Sequence, residues 1–321
     1  MSNIINDYNV AGREISLATI ANIDLALGRN CQLAGTGVCD VCPNNKINKV
    51  EDEILMSTEM LQNICDQLAE VNYKGLISLQ RYNEPFVRGD LSEMIKVIRR
   101  TLPEVRIGMN TNGFLVTAEK LRSVYEAGLS QMNFQLYPVT AQEKAEFTFD
   151  WAHEKAQKFC QKLGIKIDES KTIIVDGYYY EFTIILPGEW NTPCEQPTMT
   201  MYAKRLSVLG CDRGGSIKEL SKTRTSPCHH VGKFLGIDSN GDVSPCTNIT
   251  GACLGIKNHA KMILGNVKKN SLQEIFSRVE PMRKALQEDF SEESLKTYSV
   301  CAKCTFKPHM VQMEELMNSS K

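Results

Sequence analysis

Three cysteines, Cys31, Cys39 and Cys42, stand close together early in the chain, just after an apolar run. Thiolates are the ligands of iron–sulfur clusters, and three of them can hold three irons of a [4Fe–4S] cube. The fourth iron is then open to a bound molecule, whereas a cluster with four cysteines is suited to passing electrons. The spacing favours a cluster that does chemistry. A zinc site is the alternative, with Asp40 as a candidate fourth ligand.

A second set of cysteines lies in the last third of the chain. The segment 234–246 reads as a strand, a tight Asn-Gly turn and a second strand, and such a hairpin brings Cys228 close to Cys246. Cys301 and Cys304 add a CxxC clip. Four thiolates complete either a zinc site or an iron–sulfur cluster. A zinc ribbon in a non-catalytic or nucleic-acid-binding protein is therefore the alternative from another class.

Composition limits the kinds of partner that the chain can have. It has 321 residues, 37 basic and 38 acidic, with a formal net charge of −1. This balance lacks the excess of basic residues that is typical of nucleic-acid binders, and it argues against an anionic membrane as partner. The first residues have no apolar core of a signal peptide, and no apolar run reaches the length of a membrane span. We therefore expect a cytoplasmic protein, in which clustered cysteines are metal ligands.

Strands and helices alternate through the first two thirds of the sequence. Predicted strands lie at 21–27, 75–80, 105–110, 131–137, 171–187 and 197–209. Predicted helices lie at 51–72, 90–101, 118–128 and 141–163. This alternation with short connections predicts an α/β fold with a parallel sheet and crossover helices. Turn residues become frequent and apolar runs shorten after about residue 215, where we predict a domain boundary.

Polar turns follow the first three predicted strands. The cysteine loop follows the first strand, Tyr82-Asn83-Glu84-Pro85 follows the second, and Asn110-Thr111-Asn112-Gly113 follows the third. The carboxyl ends of parallel strands lie at the same edge of a sheet, where α/β proteins build their sites. The three turns are therefore expected to face one cavity.

With these three motifs the chain resembles the radical S-adenosylmethionine (SAM) superfamily over roughly residues 15–200. The resemblance implies a partial (β/α)6 barrel, assigned here to residues 1–215, with SAM chelating the open iron. The YNEP turn occupies the place of a Gly-Gly-Glu-Pro motif, in which the acidic residue binds the SAM amino group. Glu84 inherits that role. The resemblance implies the following SAM contacts: Tyr82, Asn83, Glu84, Pro85, Asn110, Asn112 and Gln135.

Two features depart from the family pattern. The first gap in the cysteine loop is seven residues instead of three, and Gly35 and Gly37 in that gap are consistent with a longer loop closing on the same cube. Tyr82-Asn83 replaces the double glycine. For Gln135, which we expect to reach the SAM ribose, packing in the core is an equal alternative.

The second half resembles the SPASM/twitch region of radical SAM enzymes. The resemblance rests on the four later cysteines and on Leu264-Gly265-Asn266 and the segment 271–276 between them. It implies an auxiliary domain at 216–321, of the shorter twitch form, with one [4Fe–4S] cluster held by Cys228, Cys246, Cys301 and Cys304. The chain would then carry two [4Fe–4S] clusters. His229 and His230 are either partners of the second cluster or a surface pair.

The family resemblance implies that SAM is cleaved to a 5′-deoxyadenosyl radical, which takes a hydrogen atom from a substrate carbon. Loss of a further proton and electron gives dehydrogenation, and return of a hydrogen atom from a thiol gives epimerisation. We predict Cys253 as that thiol, with Cys211 as a second candidate. Arg213, in the turn between the halves, is predicted to bind the substrate or to assist its deprotonation.

The expected substrate is a small polar molecule, such as an aminoglycoside, aminocyclitol, sugar or amino acid. Few residues precede the first predicted strand, too few for the peptide-recognition domain of peptide-modifying SPASM enzymes. A peptide-modifying enzyme whose partner recognises the leader is the alternative within enzymes. The resemblance also implies an electron donor such as flavodoxin or ferredoxin.

Overall fold

The computed structural model describes most of the chain. The described residues are 15–39, 42–46, 54–205, 212–217, 223–228, 230–250, 257–304 and 306. Four residues singled out by the sequence lie outside them, namely Asp40, Cys211, His229 and Cys253.

Ten described strands form one sheet. They are β1 Asn22–Leu25, β2 Leu76–Ser78, β3 Arg106–Thr111, β4 Gln131–Leu136, β5 Lys166–Val175, β6 Tyr179–Ile185, β7 Thr198–Lys204, β8 Phe234–Ile237, β9 Asp242–Ser244 and β10 Gly265–Asn266. Their order is β10-β9-β8-β1-β2-β3-β4-β7-β6-β5. The strands from β8 to β7 in this order are parallel to one another, and antiparallel strands extend both edges. The predicted α/β fold with a parallel sheet is confirmed.

Helices lie between the parallel strands and, in the second half of the chain, around and after the last strands. They are α1 Pro43–Lys46, α2 Thr58–Glu70, α3 Leu91–Thr101, α4 Ala118–Glu126, α5 Ala141–Ala145, α6 Phe149–Leu163, α7 Lys257–Ala260, α8 Leu272–Ser277, α9 Val279–Arg283, α10 Glu292–Thr297 and α11 Ser299–Ala302. A π-helical segment, Lys284–Asp289, follows α9.

Local sequence explains where these helices begin. The Ser57 side chain accepts a hydrogen bond from the backbone of Met60 at the start of α2, and Thr117 caps α4 in the same way. Each such cap contributes about 1 kcal/mol. The predicted helix 51–72 therefore begins at Thr58 in the structure. The predicted helix 141–163 is two helices, because Thr148 starts α6 with a cap of its own.

The sheet has one apolar face and one polar face. Leu61 and Ile64 of α2 are fully buried in the core with the apolar strand residues. On the polar face the Asn133 Nδ2 donates to Asn110 Oδ1 over 2.9 Å, and the Thr200 hydroxyl donates to Asn133 Oδ1 over 2.9 Å. Alternate residues of a strand point to opposite faces, so polar residues at every second position form this layer. A sheet covered by core on both faces would carry apolar residues at these positions. The polar layer therefore marks a cavity.

The second half of the chain joins the same sheet. β8 pairs in parallel with β1 from Asn22 opposite Phe234 to Leu25 opposite Ile237. β8 and β9 form the predicted hairpin, and β10 adds to its outer edge. The predicted domain boundary near residue 215 stays a prediction, but the sheet is continuous across the two halves.

Within the described residues, no helix is both long enough and apolar enough to cross a bilayer.

Candidate active site

A cavity of about 260 Å³ opens where β1, β2, β3 and β4 end. The three predicted turns all contribute to its wall, so the expectation that they face one cavity is confirmed. The lining residues are Asp24, Cys31, Leu33, Ala34, Cys39, Cys42, Asn44, Gln80, Arg81, Tyr82, Asn83, Glu84, Asn110, Thr111, Asn112, Gln135, Tyr137, Arg213 and Thr247. Pro85 is buried at the start of a short 3-10 turn, and it is the predicted SAM contact that is not part of this described wall.

The long first gap of the cysteine loop folds into compact turns. The Thr36 backbone N–H donates to the Leu33 carbonyl over 3.2 Å, and Leu33 is buried beneath the loop. Gly35 and Gly37 have φ values of 76° and 74°, in the left-handed region that glycine adopts without strain. These turns accommodate the additional residues of the gap, so that Cys31 and Cys39 both line the cavity.

The three thiols of this loop, which we call the three-thiol site, lie close together. Burial raises the pKa of the Cys31 thiol to about 11. A hydrogen bond from Cys39 to Cys42, together with burial, raises the pKa of Cys39, and the same bond lowers the pKa of Cys42. Metal coordination removes the proton of such a thiol.

The donor set fits an iron–sulfur cluster. A cube takes each thiolate on a different iron, so its ligands stand apart around a volume. Cys31, Cys39 and Cys42 on one cavity wall would hold three irons, and the cavity leaves space at the fourth.

Two polar side chains lie against these sulfurs. The Asn112 Nδ2 is 3.8 Å from the Cys31 Sγ, and the Asn112 Oδ1 accepts from Gln32 Nε2 over 2.7 Å. The Tyr137 hydroxyl is 3.7 Å from the Cys39 Sγ. Hydrogen bonds to cluster sulfurs shift the reduction potential. Sequence reasoning singled out Asn112 and missed Tyr137.

Glu84 is a buried carboxylate at the cavity wall. Its Oε1 accepts from the Thr111 hydroxyl over 2.8 Å and from the Phe86 backbone over 3.2 Å, and its Oε2 accepts from the Asn112 backbone over 2.9 Å. Burial raises the pKa of Glu84. A carboxylate has about four acceptor positions, so one stays available for a cationic amine. The Glu84 backbone N–H also donates to the Asn30 carbonyl over 2.9 Å, which fixes the YNEP turn to the cysteine loop.

The other predicted cavity residues face the same space. Gln135 lines the cavity, where its Oε1 accepts from the Tyr202 hydroxyl over 3.2 Å. The Arg213 guanidinium lies 5.5 Å from the centre of the Tyr82 ring. Asp24 is a further polar residue on the wall, and sequence reasoning missed it although polar residues alternate along β1. Burial raises the pKa of Asp24 to about 6, against an opposing effect of Arg81.

Four further thiols come together in the second half of the chain, at what we call the four-thiol site. Cys246, Cys301 and Cys304 are buried, and Cys228 is half-buried. Burial, with a smaller contribution from the nearby Cys228 and Cys304 thiols, raises the pKa of Cys246 to about 12. Burial and the other three thiols likewise raise the pKa of Cys301. This proximity of all four fits a cluster with a thiolate on every iron.

Arg81, which sequence reasoning missed, connects the two sites. It precedes the YNEP turn, and its side chain is fully buried. Its Nε pairs with Asp238 Oδ1 over 2.8 Å, its Nη2 donates to the Ser244 hydroxyl over 2.7 Å, and its Nη1 donates to the Cys246 carbonyl over 3.3 Å. Thr247, directly after Cys246, lines the cavity. The cavity therefore lies between the two thiol sites.

Both halves match known protein families. Residues 25–163 match a family described as the radical SAM superfamily, and residues 228–305 match the SPASM family, described as an iron–sulfur cluster-binding domain. A radical SAM domain implies SAM and a [4Fe–4S] cluster, and a SPASM domain implies additional iron–sulfur binding.

Individual relatives are more distant. The S-adenosyl-L-methionine-dependent 2-deoxy-scyllo-inosamine dehydrogenase of Niallia circulans is 22% identical over 174 residues, or 54% of this chain and 67% of that protein. The crystal structure of BtrN in complex with AdoMet and 2-DOIA has a TM-score of 0.61 at 18% identity, over 89% of this chain and 93% of that one. BtrN with selenomethionine in an open conformation has a TM-score of 0.53 at 15% identity, over 89% and 92%. The structural likenesses show a shared fold.

The matched segments coincide with the two thiol sites, since the first contains Cys31, Cys39 and Cys42 and the second contains Cys228, Cys246, Cys301 and Cys304. The chain belongs to the radical SAM superfamily, with a SPASM iron–sulfur domain after its radical SAM domain.

Proposed function

We propose that this radical SAM enzyme is a dehydrogenase that oxidises a hydroxyl-bearing carbon of a small polar molecule to a ketone, with an aminocyclitol or aminoglycoside as the substrate class. One observation carries the proposal. The cavity that holds the three-thiol site is also walled by Thr247, next to the ligand Cys246 of the four-thiol site. A substrate in this cavity is close to a radical source and to a closed cluster suited to taking up an electron.

Atom and electron balance explains why two sites are needed. Oxidation of a carbinol carbon to a ketone removes two hydrogens and two electrons. When bound, SAM and the cluster at the three-thiol site supply a 5′-deoxyadenosyl radical that takes one hydrogen atom from the carbon. The hydroxyl proton and one further electron then have to leave. The four-thiol site provides a place for an electron acceptor.

The chain's own residues position the substrate and its charges. Glu84, with one acceptor position left, is proposed to bind the SAM amino group, and the polar side chains Asn110 and Gln135 to contact the rest of SAM. The positive charge of Arg213 favours the deprotonated form of a nearby hydroxyl. Asp24 carries a carboxylate at neutral pH and suits the ammonium group of an amino sugar or aminocyclitol.

The relative in Niallia circulans supports the same substrate class. Its name describes a SAM-dependent dehydrogenase of 2-deoxy-scyllo-inosamine, and the match covers just over half of this chain. Epimerisation stays a hypothesis, because its predicted thiol donors, Cys253 and Cys211, lie outside the described residues. Among the described residues of the cavity wall, the cysteines are the three of the three-thiol site.

Product analysis tests the proposal. The reconstituted, reduced protein is incubated with SAM and a panel of aminocyclitols and aminoglycosides deuterated at the carbinol carbons. We expect a ketone, an equal amount of 5′-deoxyadenosine, and the deuterium in the 5′-deoxyadenosine. SAM cleavage without ketone from any member of the panel would contradict the substrate class.

A solvent-isotope experiment separates the two reaction types. A dehydrogenase gives the same product in deuterated water with or without Cys253→Ala. An epimerase would incorporate solvent deuterium at the inverted carbon and would lose this incorporation in the variant. Deuterium at that carbon in the parent protein would therefore overturn the dehydrogenase proposal.

A further inference from the structure

Arg224 is a buried cation beside the four-thiol site. Its side chain is nearly inaccessible, with the residue 5% exposed. Its Nε donates to the Cys301 carbonyl over 2.9 Å, and its backbone N–H donates to the Ala302 carbonyl over 2.8 Å. Its Nη1 donates to the carbonyls of Ser226 and Pro227 over 3.2 Å and 3.3 Å. The guanidinium is thus held in place by neutral oxygen atoms.

The thiols face this guanidinium directly. Burial alone would lower the pKa of Arg224, but the nearby Cys228, Cys304 and Cys301 sulfurs and a hydrogen bond with Cys304 outweigh it and raise that pKa. A buried charge needs a counter-charge. The four-thiol site supplies it.

Other buried arginines in the described chain have carboxylate partners. Arg81 pairs with Asp238, and Arg283 pairs with Glu280 and Glu288. Among the described residues, no acidic side chain forms an ion pair with Arg224. Asp212 interacts with it only at longer range. The charge of Arg224 is therefore available to the cluster.

We infer that Arg224 is a positioning residue that raises the reduction potential of the iron–sulfur centre at the four-thiol site and so makes it an electron acceptor. Reduction adds one negative charge to a centre that is already anionic. A fixed positive charge nearby stabilises the reduced form more than the oxidised form, and charge and hydrogen bonding are the protein's means of setting cluster potentials. The inference deepens the proposed function and rests on it for its purpose, because an acceptor is needed only if the substrate is oxidised.

The electron balance is that of the proposed dehydrogenation. The hydrogen atom of the carbinol carbon would go to the 5′-deoxyadenosyl radical, which becomes 5′-deoxyadenosine, and the hydroxyl proton would go to a base or to water. The remaining electron would go to an iron–sulfur centre held by Cys228, Cys246, Cys301 and Cys304, and the C–O bond would become a double bond. A higher reduction potential makes this last transfer more favourable.

A redox titration measures the inferred effect without turnover. The full-length protein with Cys31, Cys39 and Cys42 replaced by alanine keeps only the centre at the four-thiol site, and electron paramagnetic resonance follows its reduction. We expect Arg224→Gln to shift the midpoint potential downward. Arg224→Lys keeps the positive charge but loses the planar guanidinium, and its midpoint potential is expected to stay near the parent value. A parent-like midpoint in Arg224→Gln with full iron content would overturn the inference.

A second pair of variants keeps Arg224 and decides the case if Arg224→Gln loses its iron. Ser226 is half-buried, and its carbonyl already accepts from the guanidinium. Ser226→Asp places a carboxylate beside Arg224 and is expected to lower the midpoint potential, whereas Ser226→Asn is the neutral control of equal size. Equal midpoints in this pair would refute the inference.

The two proposals fail in different experiments. An absent ketone in the product analysis would contradict the proposed function and leave the potential shift standing. Unchanged potentials would contradict the role of Arg224 and leave the ketone standing.

Discussion

The two thiol sites differ in how open they are. Cys31, Cys39 and Cys42 are half-buried on the wall of a cavity and share that wall with Glu84. At the four-thiol site, Cys246, Cys301 and Cys304 are buried, and a buried arginine faces the sulfurs. In the proposed function, the first site leaves room for a ligand on its cluster, and Arg224 compensates the charge at the second.

The difference shows how one sheet supports two kinds of iron–sulfur chemistry. The cysteine loop of the first site follows β1, and Cys246 of the second follows β9, whereas Cys301 lies on α11. At the first site, three thiolates would leave the fourth iron of the cluster open to a ligand, which is the source of the proposed reactivity. At the second, complete ligation and a nearby cation favour storage of an electron. The comparison can be tested by changing each site, and the region between them, separately.

Loss of a ligand cysteine has the largest expected effect. Cys39→Ala should abolish SAM cleavage and lower the iron content by about four atoms per chain. Cys304→Ala should lower the iron content similarly and yet keep SAM cleavage, while the oxidised product is lost. Iron analysis and 5′-deoxyadenosine assays measure both, with Cys160→Ala in the α6 core as a control that keeps its iron. SAM cleavage surviving in Cys39→Ala would remove the distinction between the sites.

Arg81, which connects the two thiol sites, is the next target. A Cβ at Gly236 would lie 1.4 Å from the Arg81 Nη1, so Gly236→Ala must displace the guanidinium from Asp238. Breaking a buried ion pair costs about 3–5 kcal/mol. Gly188→Ala is the matched control, since a Cβ there meets nothing within 4 Å. Anaerobic urea unfolding measures both, and equal free energies of unfolding would contradict the role of Arg81.

Asp24 is expected to make the free energy of unfolding depend on pH. Its pKa of about 6 in the folded protein lies above the ordinary 3.8. The stability that it contributes is therefore fully present below about pH 4 and is lost as the pH rises through 6, by at most about 3 kcal/mol. The charged groups facing it, Arg81 and Arg213, keep their charge over this range.

Asp24→Asn should remove this part of the pH dependence. The free energy of unfolding at pH 7 should then rise relative to the parent protein, and the values at pH 4 and pH 7 should come closer together. Asp66→Asn, at an exposed position on α2, is the control. A parent-like pH dependence in Asp24→Asn would show that the buried carboxyl does not titrate as inferred.

Glu84 has the smallest expected effect. Glu84→Gln removes the negative charge and turns an amide NH2 toward backbone N–H donors, at a cost of about 1.5–3 kcal/mol for a charge-assisted hydrogen bond. SAM binding should weaken about 10- to 100-fold. Equilibrium binding to the iron-loaded protein measures this, with Glu119→Gln at an exposed position on α4 as control. Unchanged SAM affinity would place the SAM amino group elsewhere.

Local sequence patterns predicted much of the radical SAM half. The turns at 82–85 and 110–113 meet the cysteine loop because parallel strands end at one edge, and that rule needs no long-range information. The hairpin at 234–246 followed in the same way from its Asn-Gly turn.

Contacts between distant parts of the chain were not predictable. The pairing of Arg81 with Asp238 and the alignment of β8 with β1 depend on how two distant segments meet, and single arginines carry no local sign of their partners. The same holds for Arg224, whose environment exists only once Cys301 and Cys304 have folded against it. The polar layer on the sheet did have a sequence signal, namely polar residues at every second position of β1, β3 and β4.

The parallel pairing of β8 with β1 has a consequence for synthesis of the chain on the ribosome. β1 is made early, yet one of its two edges has no described strand beside it until β8 has been made. An uncovered strand edge pairs readily with other chains. A nascent chain or a fragment ending before β8 is therefore prone to aggregate, even though it contains the whole three-thiol site. Production of the radical SAM half alone should fail for this reason.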